Sequence, residues 1–215
     1  MAKRYTGPFV SRGGEKLAGA LDSFQLDSGG LRTLDVGAST GGFTDCLLQR
    51  GVASVVALDV AYGQLAWSLR TDSRVTVLER SNFRRLDLRE IGAPFDLTVA
   101  DLSFISLAKV LPQLAVAAGQ SGQLLLLVKP QFEARREEVG QGGVIEDAAV
   151  HCEVLKRLDA ALPAAGLMAL DWTYSPIKGP KGNREYWLRA APAASDTPAF
   201  SGSIEEVVAS AHRAL

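Results

Sequence analysis

The feature that most constrains the fold of this chain is an apolar stretch, residues 32–36, that runs directly into a glycine-rich segment, residues 37–42, and then into a predicted helix. Glycine adopts positive φ and lets the backbone approach a ligand closely, while the helix that follows presents free N–H groups to the same ligand. The combination predicts a strand, a turn and a helix that bind a nucleotide-like cofactor. A turn that only packs tightly is the alternative.

Two better-known glycine loops fail to match this segment, and each mismatch is informative. The dinucleotide fingerprint G-x-G-x-x-G needs a second glycine where this chain has Ser39, so a pyrophosphate is disfavoured. The phosphate-binding loop G-x-x-x-x-G-K-[ST] has the spacing of residues 37–44, but Phe43 replaces its lysine and removes the counter-charge for the phosphates. These mismatches predict a ligand without a phosphate chain.

S-adenosylmethionine has the properties that this segment selects. It carries no phosphate, its sulfonium and amino groups are cationic, and its ribose hydroxyls need an acceptor such as Asp59, which closes the next apolar run. We therefore expect this cofactor to lie against the turn and the two strand-end acids. The candidate cofactor ligands are Asp35, Gly37, Ser39, Thr40, Gly41, Gly42, Phe43 and Asp59.

The composition limits the class of protein and its compartment. A chain of 215 residues with 47% hydrophobic and 22% charged residues is typical of a globular domain with a substantial core. The longest aliphatic run, residues 124–128, is too short to span a bilayer, so we expect a cytoplasmic protein without a membrane partner. The net charge of −1 argues against a uniformly basic surface that coats nucleic acid. Cys46 and Cys152 follow no metal-ligand spacing, which predicts neither a disulfide nor a metal site.

Strand and helix patterns alternate along the chain. We predict strands at residues 32–36, 54–59, 75–79, 97–101, 123–128, 168–174 and 186–190, and helices at residues 42–50, 64–70, 107–118, 147–165 and 203–213. Because parallel strands need such crossovers, the alternation predicts an α/β fold with a doubly wound, mostly parallel seven-stranded sheet. We expect residues 1–192 to form this domain, and residues 193–215 to form a linker and a C-terminal helix packed on it. Residues 140–143 are rich in glycine and predict a mobile loop near the substrate.

Four charged residues are predicted to meet at the edge where open α/β sheets bind their ligands. Asp101 ends the fourth strand, and Lys129 directly follows the fifth. Lys16 precedes the first strand, in a segment where a helix would fold over the site. Glu185 opens the last strand and reaches the same edge if that strand is antiparallel. Each residue taken alone is typical of a solvated charge at the end of an element. Together they form a coherent catalytic group.

These residue types suit methyl transfer to an alcohol. A sulfonium methyl is already electrophilic, whereas a ribose hydroxyl must lose its proton as the methyl arrives and therefore needs a general base. A desolvated lysine beside another cation can serve as that base when carboxylates orient the amines. We assign the base to Lys129, its orientation to Asp101 and Glu185, and charge tuning or nucleotide binding to Lys16.

Six segments resemble, in the same order, motifs of the TlyA (haemolysin A) family of ribosomal RNA 2′-O-methyltransferases and, more distantly, of the FtsJ-like ribose methyltransferases. They are residues 11–17, 35–43, 59–67, 100–106, 128–133 and 175–185. The resemblance implies a Rossmann-like class I methyltransferase that uses S-adenosylmethionine and modifies a ribose of ribosomal RNA, with cytidine as the acceptor. It places the family's catalytic tetrad on Lys16, Asp101, Lys129 and Glu185, and it adds Val60, Asn82 and Asp101 to the cofactor ligands.

One departure from the family concerns the RNA substrate. Family members usually begin with a small RNA-binding domain, whereas about ten residues precede the Ser-Arg-Gly-Gly motif here. We therefore expect this chain to bind S-adenosylmethionine but to hold ribosomal RNA or ribosomal subunits only weakly. Six basic residues in loops at the sheet edge are candidates for phosphate contacts: Arg12, Arg135, Arg136, Lys178, Lys181 and Arg184. For Arg135 and Arg136, which lie inside a mixed-charge run, we prefer a role in solubility.

Three other functions stay open at this point. Residues 101–104 partly resemble the D-P-P-Y/F motif of base-amine methyltransferases, since they keep the acid and the aromatic residue but lack both prolines. The haemolysin name suggests a pore-forming protein, which the lack of a long apolar segment or a basic amphipathic helix disfavours. The third alternative is a protein that binds the cofactor and assists ribosome assembly without catalysis.

Overall fold

The described residues form one sheet of seven strands. The computed structural model describes residues 5–215, apart from the side chain of residue 141, so the start of the predicted 1–192 domain lies outside the described residues. The strands are β1 (Arg32–Val36), β2 (Ser54–Leu58), β3 (Val75–Leu78), β4 (Leu97–Ala100), β5 (Gln123–Val128), β6 (Leu167–Tyr174) and β7 (Tyr186–Pro192). Their order across the sheet is β3-β2-β1-β4-β5-β7-β6.

Strand direction confirms the predicted doubly wound, mostly parallel sheet. Strands β1 to β5 pair in parallel, whereas β7 runs antiparallel to both β5 and β6. The chain winds outward in one direction from β1 and in the other direction from β4. The carboxyl ends of these two strands therefore border the crevice in which open α/β sheets bind their ligands.

Helices cover both faces of the sheet. They are α1 (Gly13–Ser23), α2 (Gly42–Gln49), α3 (Trp67–Arg70), α4 (Leu111–Ala118), α5 (Pro130–Glu133), α6 (Ala148–Ala161) and α7 (Ile204–Ala214). Residues of α1, α2 and α3 share one core with Leu125 and Leu127 of β5, and residues of α4, α6 and α7 share the other core with Leu124 and Leu126. Because β5 is buried on both faces, it is a continuous apolar run.

Two of the predicted helices are divided at proline. Residues 107–118 form a 3₁₀ turn, Leu107–Lys109, followed by α4, because Pro112 lacks an N–H and is tolerated only in the first turn of an α-helix. Residues 147–165 form α6 and then a 3₁₀ turn that begins at Pro163. The side chain of Asp147 caps α6 by accepting the N–H of Ala149 at 2.8 Å. Of the predicted helix at residues 64–70, only α3 forms, and the sequence patterns give no bounds for α1.

The C-terminal segment packs on the face that α6 covers. Nδ1 of His151 on α6 lies 3.0 Å from Nε2 of His212 on α7 and 2.8 Å from the hydroxyl of Tyr186 on β7. The apolar side of α7 enters the same core as β6 through three residues: Ile204, Val208 and Ala211. From these contacts we propose that residues 193–215 belong to the same domain as the sheet.

The helices of residues 5–215 are all too short or too polar to cross a membrane. In the same part of the chain, no three histidine, cysteine, aspartate or glutamate side chains are grouped so that they could hold a metal ion. Cys46 is buried in α2, Cys152 is half-buried in α6, and both are free thiols.

Candidate active site

Asp101 directly follows β4 at the centre of the crevice between β1 and β4. Three cavities of about 520, 350 and 340 Å³ meet there, and Asp101 lines each of them. We call them the wide cavity, the turn cavity, which the glycine turn borders, and the lysine cavity, which contains both Lys16 and Lys129. A reaction between two substrates needs adjoining cavities that hold the reacting atoms close to each other. The three cavities adjoin at Asp101, which lines all of them.

The glycine turn brings its backbone against Asp101 and fixes the side chain of Asp59. Gly37 has a φ of +86°, and a Cβ built on it would lie 2.5 Å from the backbone oxygen of Asp101. The N–H groups of Ser39 and Ala61 donate to the two carboxylate oxygens of Asp59, each at 2.7 Å. Asp59 is thereby held at the edge of the wide cavity, and its oxygens keep lone pairs for the hydroxyl groups of a ligand.

We expect replacement of Gly37 by alanine to weaken S-adenosylmethionine binding at least ten-fold. The added methyl group clashes with the backbone of Asp101, and alanine disfavours a positive φ by roughly 1–2 kcal/mol. The glycine turn and the backbone of Asp101 must therefore move apart. Isothermal titration calorimetry measures the change. Gly30→Ala is the matched control, since Gly30 has a φ of +73° but nothing lies within 4 Å of its added Cβ. Equal affinity of the two variants would contradict this account of the turn.

The wide cavity combines apolar walls with a polar rim. Phe83, Leu102 and Ile105 contribute to the walls, and Asn82 and the exposed Val60 lie at the rim. Oδ1 of Asn82 accepts the backbone N–H two residues further on at 3.0 Å, so the amide nitrogen stays available to donate. Apolar walls with a few fixed polar groups suit a flat heterocycle such as a purine.

The turn cavity lies where the start of α1 meets the start of α2. A Cβ on Gly42 would lie 2.3 Å from Oγ of Ser11 and 2.9 Å from the backbone nitrogen of Gly14, so only glycine allows the two segments to touch. This contact places α1, and with it Lys16, beside the glycine turn. The lining comes from both segments and includes Ser11, Arg12, Gly13, Lys16, Thr40, Gly42 and Phe43.

Two of the candidate cofactor ligands lie behind the turn and line none of the three cavities. Asp35 is fully buried, and its Oδ2 accepts the hydroxyl of Thr44 at 2.6 Å, whereas its Oδ1 has no hydrogen-bond partner. Burial raises the pKa of Asp35 to about 7. Gly41 is the N-terminal cap of α2, with a φ of +97°, and packs against Leu65 and Leu69. In this structure both residues contact α2 or its N-terminal cap and do not face the cavities.

Lys129 presents its amine between two polar groups at the carboxyl end of β5. Its side chain is 10% exposed, and its Nζ forms an ion pair with Oδ1 of Asp101. The same nitrogen donates to Oγ of Ser103 at 2.9 Å, and the ring centroid of Phe132 lies 5.9 Å away. Because Lys129 also lines the lysine cavity, its amine is placed to exchange a proton with a group bound there.

Lys16 and Glu185 form a second, more deeply buried pair. Nζ of Lys16 lies 2.5 Å from Oε2 of Glu185, and the two side chains are 7% and 1% exposed. Burial raises the pKa of Glu185, and Lys16 opposes that shift. Gly179 makes the pair possible, because a Cβ there would lie 2.5 Å from the other carboxylate oxygen of Glu185. Glu185 therefore contacts Lys16 directly, and its role in orienting Lys129 stays a prediction.

An exposed aromatic residue borders the lysine cavity. Phe104 is 91% exposed, has a φ of +64°, and its ring centroid lies 5.1 Å from that of Phe132. Bulky residues rarely adopt positive φ, and such outliers cluster at binding sites. Phe104 is therefore a candidate residue for stacking against a ligand in this cavity.

The glycine-rich loop at residues 140–143 closes the far side of the lysine cavity. Gly143 lines the cavity, and the buried side chain of Asn183 holds this part of the loop. The amide of Asn183 donates to the backbone oxygen of Gly143 at 2.8 Å and accepts the N–H of Ile145 at 3.0 Å. The loop therefore borders the lysine cavity, and its mobility and its position near a substrate stay predictions.

The basic candidates for phosphate contacts lie at different distances from these cavities. Arg12 lines the turn cavity and Lys181 lines the lysine cavity. The other four line none of the three cavities: Arg135, Arg136, Lys178 and Arg184. Of the six basic candidates, Arg12 and Lys181 are therefore the two that lie at the cavities.

The sequence of this chain is similar to the sequences of several methyltransferases. The sequence pattern of the FtsJ-like methyltransferase family matches residues 9–191. The chain is 48% identical over 209 residues to the 16S/23S rRNA (cytidine-2'-O)-methyltransferase TlyA of Mycobacterium tuberculosis, a match that covers 96% of this chain and 76% of that protein. It is 40% identical over 179 residues to the protein named Hemolysin A of Brachyspira hyodysenteriae, covering 83% of this chain and 75% of that protein.

Solved structures agree on the fold. A protein of Streptococcus thermophilus that is named as a hemolysin superposes with a TM-score of 0.91 and 41% identity, covering 99% of this chain and 77% of that chain. Fibrillarin of Aeropyrum pernix, solved with bound S-adenosyl-L-methionine, superposes with a TM-score of 0.59 and 20% identity, covering 82% of this chain and 74% of that chain. The second likeness shows the fold alone, and it confirms the expected Rossmann-like fold of S-adenosylmethionine-dependent methyltransferases.

Proposed function

This chain belongs to the FtsJ-like methyltransferase family, and we propose that it transfers a methyl group from S-adenosylmethionine to a ribose 2′-hydroxyl of ribosomal RNA. The acceptor class follows the name of the Mycobacterium tuberculosis relative, which specifies cytidine 2′-O-methylation of 16S and 23S ribosomal RNA. The observation that carries the proposal is the position of Asp101, because it lines the wide cavity, the turn cavity and the lysine cavity at once and contacts the amine of Lys129.

The residues around the wide and turn cavities fit S-adenosylmethionine. Asp59 is fixed by two backbone N–H groups and can accept ribose hydroxyls, and the apolar walls near Asn82 suit an adenine ring. Gly37 lines both cavities and lies against the backbone of Asp101, where a side chain would not fit. When bound there, the cofactor supplies a methyl group on a sulfonium, whose carbon–sulfur bond breaks with the electron pair kept by sulfur.

Lys129 is the proposed general base for the acceptor. In its neutral form, its amine takes the proton of the 2′-hydroxyl while that oxygen forms its bond to the methyl carbon. Asp101 then stabilises the ammonium that results, because the two groups already form an ion pair. Lys16 lines both the turn cavity and the lysine cavity, and Glu185 holds it there to contact the sugar and phosphate oxygens of the acceptor.

The exposed Phe104 supports a nucleotide as the acceptor. Unpaired bases of RNA stack on exposed aromatic side chains, and such stacking tolerates several base types. A base placed on Phe104 at the opening of the lysine cavity would leave its own ribose near Lys129. An amine acceptor would not need the two buried lysine–carboxylate pairs at this site.

The proposed function is tested by finding where the methyl group is attached. We expect purified protein to transfer labelled methyl from S-adenosylmethionine to ribosomal subunits, with the label on a ribose. A 2′-O-methyl group blocks alkaline cleavage of the adjoining phosphodiester bond, so an alkaline ladder and mass spectrometry of nuclease fragments locate it. Label on a base nitrogen would indicate a base-amine methyltransferase. Cofactor binding without transfer to any RNA would support a protein that assists ribosome assembly without catalysis.

A further inference from the structure

Ser103 is a polar residue of the crevice to which neither the sequence patterns nor the family resemblance gives a role. It lines both the wide cavity and the lysine cavity, so it lies where the two proposed substrates meet. Its Oγ accepts a hydrogen bond from Nζ of Lys129 at 2.9 Å, while Asp101 forms an ion pair with the same nitrogen. We infer that Ser103 is a positioning residue that directs the lone pair of Lys129 toward the acceptor oxygen.

The inference follows from the geometry of an amine nitrogen, and it rests on the proposed function. A neutral amine has four tetrahedral directions: one to its carbon, two N–H bonds and one lone pair. In Lys129 one N–H bond is directed to Oγ of Ser103, and the carboxylate of Asp101 forms an ion pair with the same nitrogen, so Ser103 limits the directions left for the lone pair. Without the hydrogen bond to Ser103, the amine turns about its Cε–Nζ bond and the lone pair loses its fixed direction.

The proton can be followed through the step. The O–H bond of the ribose hydroxyl breaks, and its proton becomes the third N–H of Lys129. Ser103 keeps accepting its N–H bond, and Asp101 stays in ion-pair contact with the nitrogen. After the methylated product leaves, the third proton is free to pass to water through the opening of the lysine cavity. Ser103 therefore acts through Lys129 and gains or loses no proton itself.

The test compares Ser103→Ala with Ser103→Thr, which keeps a hydroxyl group. We expect kcat of Ser103→Ala to fall about ten-fold, the rate equivalent of one hydrogen bond to an amine, with the KM for RNA and the Kd for S-adenosylmethionine unchanged. Ser103→Thr should recover most of the rate. Ser68→Ala, on the exposed side of α3, is the matched control and should behave as wild type.

A second measurement needs neither cofactor nor RNA. In ¹⁵N-lysine NMR of the free protein, the Nζ protons of Lys129 should exchange slowly with water in wild type and in Ser103→Thr, and quickly in Ser103→Ala. Unchanged kcat in Ser103→Ala would overturn the inference. A raised KM for RNA with unchanged kcat would overturn it too, since Ser103 would then bind RNA. If wild type transfers no methyl group to any RNA, the proposed function fails, whereas the NMR comparison still tests whether Ser103 holds the amine.

Discussion

Replacement of Lys129 by methionine is expected to lower kcat for methyl transfer by about 10²–10⁴-fold, the range that a general base contributes. Methionine has a similar length but no lone pair that can take the proton of a ribose hydroxyl. Single-turnover rates at saturating RNA and S-adenosylmethionine measure the chemical step directly. Calorimetry with S-adenosylmethionine should show wild-type affinity, because Lys129 lines the lysine cavity and neither of the two proposed cofactor cavities.

The Lys129→Arg variant distinguishes two roles of Lys129, which are proton transfer by its amine and stabilisation by its positive charge. Arginine keeps a cation beside Asp101, but its guanidinium cannot lose a proton at neutral pH. We therefore expect Lys129→Arg to be as inactive as Lys129→Met. Lys156→Met removes a surface lysine that pairs with Glu205 and should keep the wild-type rate. A rate for Lys129→Arg within ten-fold of wild type would mean that Lys129 acts through its charge.

The sheet is predictable from the sequence because most of its strands are buried on both faces. In the run Gln123–Val128, five consecutive aliphatic residues leave one interpretation, and the strand has the predicted bounds. Helix bounds are less predictable, since they depend on single residues at the ends. Pro112 lies in the first turn of α4, which begins inside the predicted helix, and α3 is limited to Trp67–Arg70.

The placement of the four charged residues is predictable, whereas their pairing is not. The ends of β4 and β5 and the start of the antiparallel β7 share one edge, which brings Asp101, Lys129 and Glu185 together. Which carboxylate meets which lysine depends on the path of the loop between β6 and β7, where Gly179 makes room for Glu185. No periodic pattern in the sequence encodes that path.

Asp35 shows the limit of reasoning from strand ends alone. It is the penultimate residue of β1, and successive side chains of a strand point to opposite faces. Leu34 and Val36 enter the core formed with α4 and α6, so Asp35 points to the other face, where Thr44 of α2 binds it. The alternation of faces along β1 predicts the face to which Asp35 points but not its contact with Thr44. The sequence gives no such signal for the role that we propose for Ser103, because this residue lies in an irregular segment after β4.

The other large effect that we expect concerns stability, at the buried pair of Lys16 and Glu185. Glu185→Leu leaves the ammonium of Lys16 without a partner at a position where its side chain is 7% exposed. Removal of one partner from a buried ion pair costs about 3–5 kcal/mol, because the remaining charge is desolvated without compensation. Urea unfolding followed by circular dichroism should show a loss of this size in the free energy of unfolding. The exposed pair of Lys156 and Glu205 provides the control, and Lys156→Met should hardly move the urea midpoint.

The double variant Lys16→Met/Glu185→Leu distinguishes a stabilising role of this pair from a catalytic one. Replacing both charges by apolar side chains of similar volume is often neutral or stabilising, so we expect the free energy of unfolding to return to within about 1 kcal/mol of wild type. Methyl transfer should be lost in the double variant, because the ammonium of Lys16 beside the acceptor is gone. A double variant as unstable as Glu185→Leu would show that the pair itself stabilises the fold. A stable double variant with wild-type activity would remove Lys16 and Glu185 from the proposed mechanism.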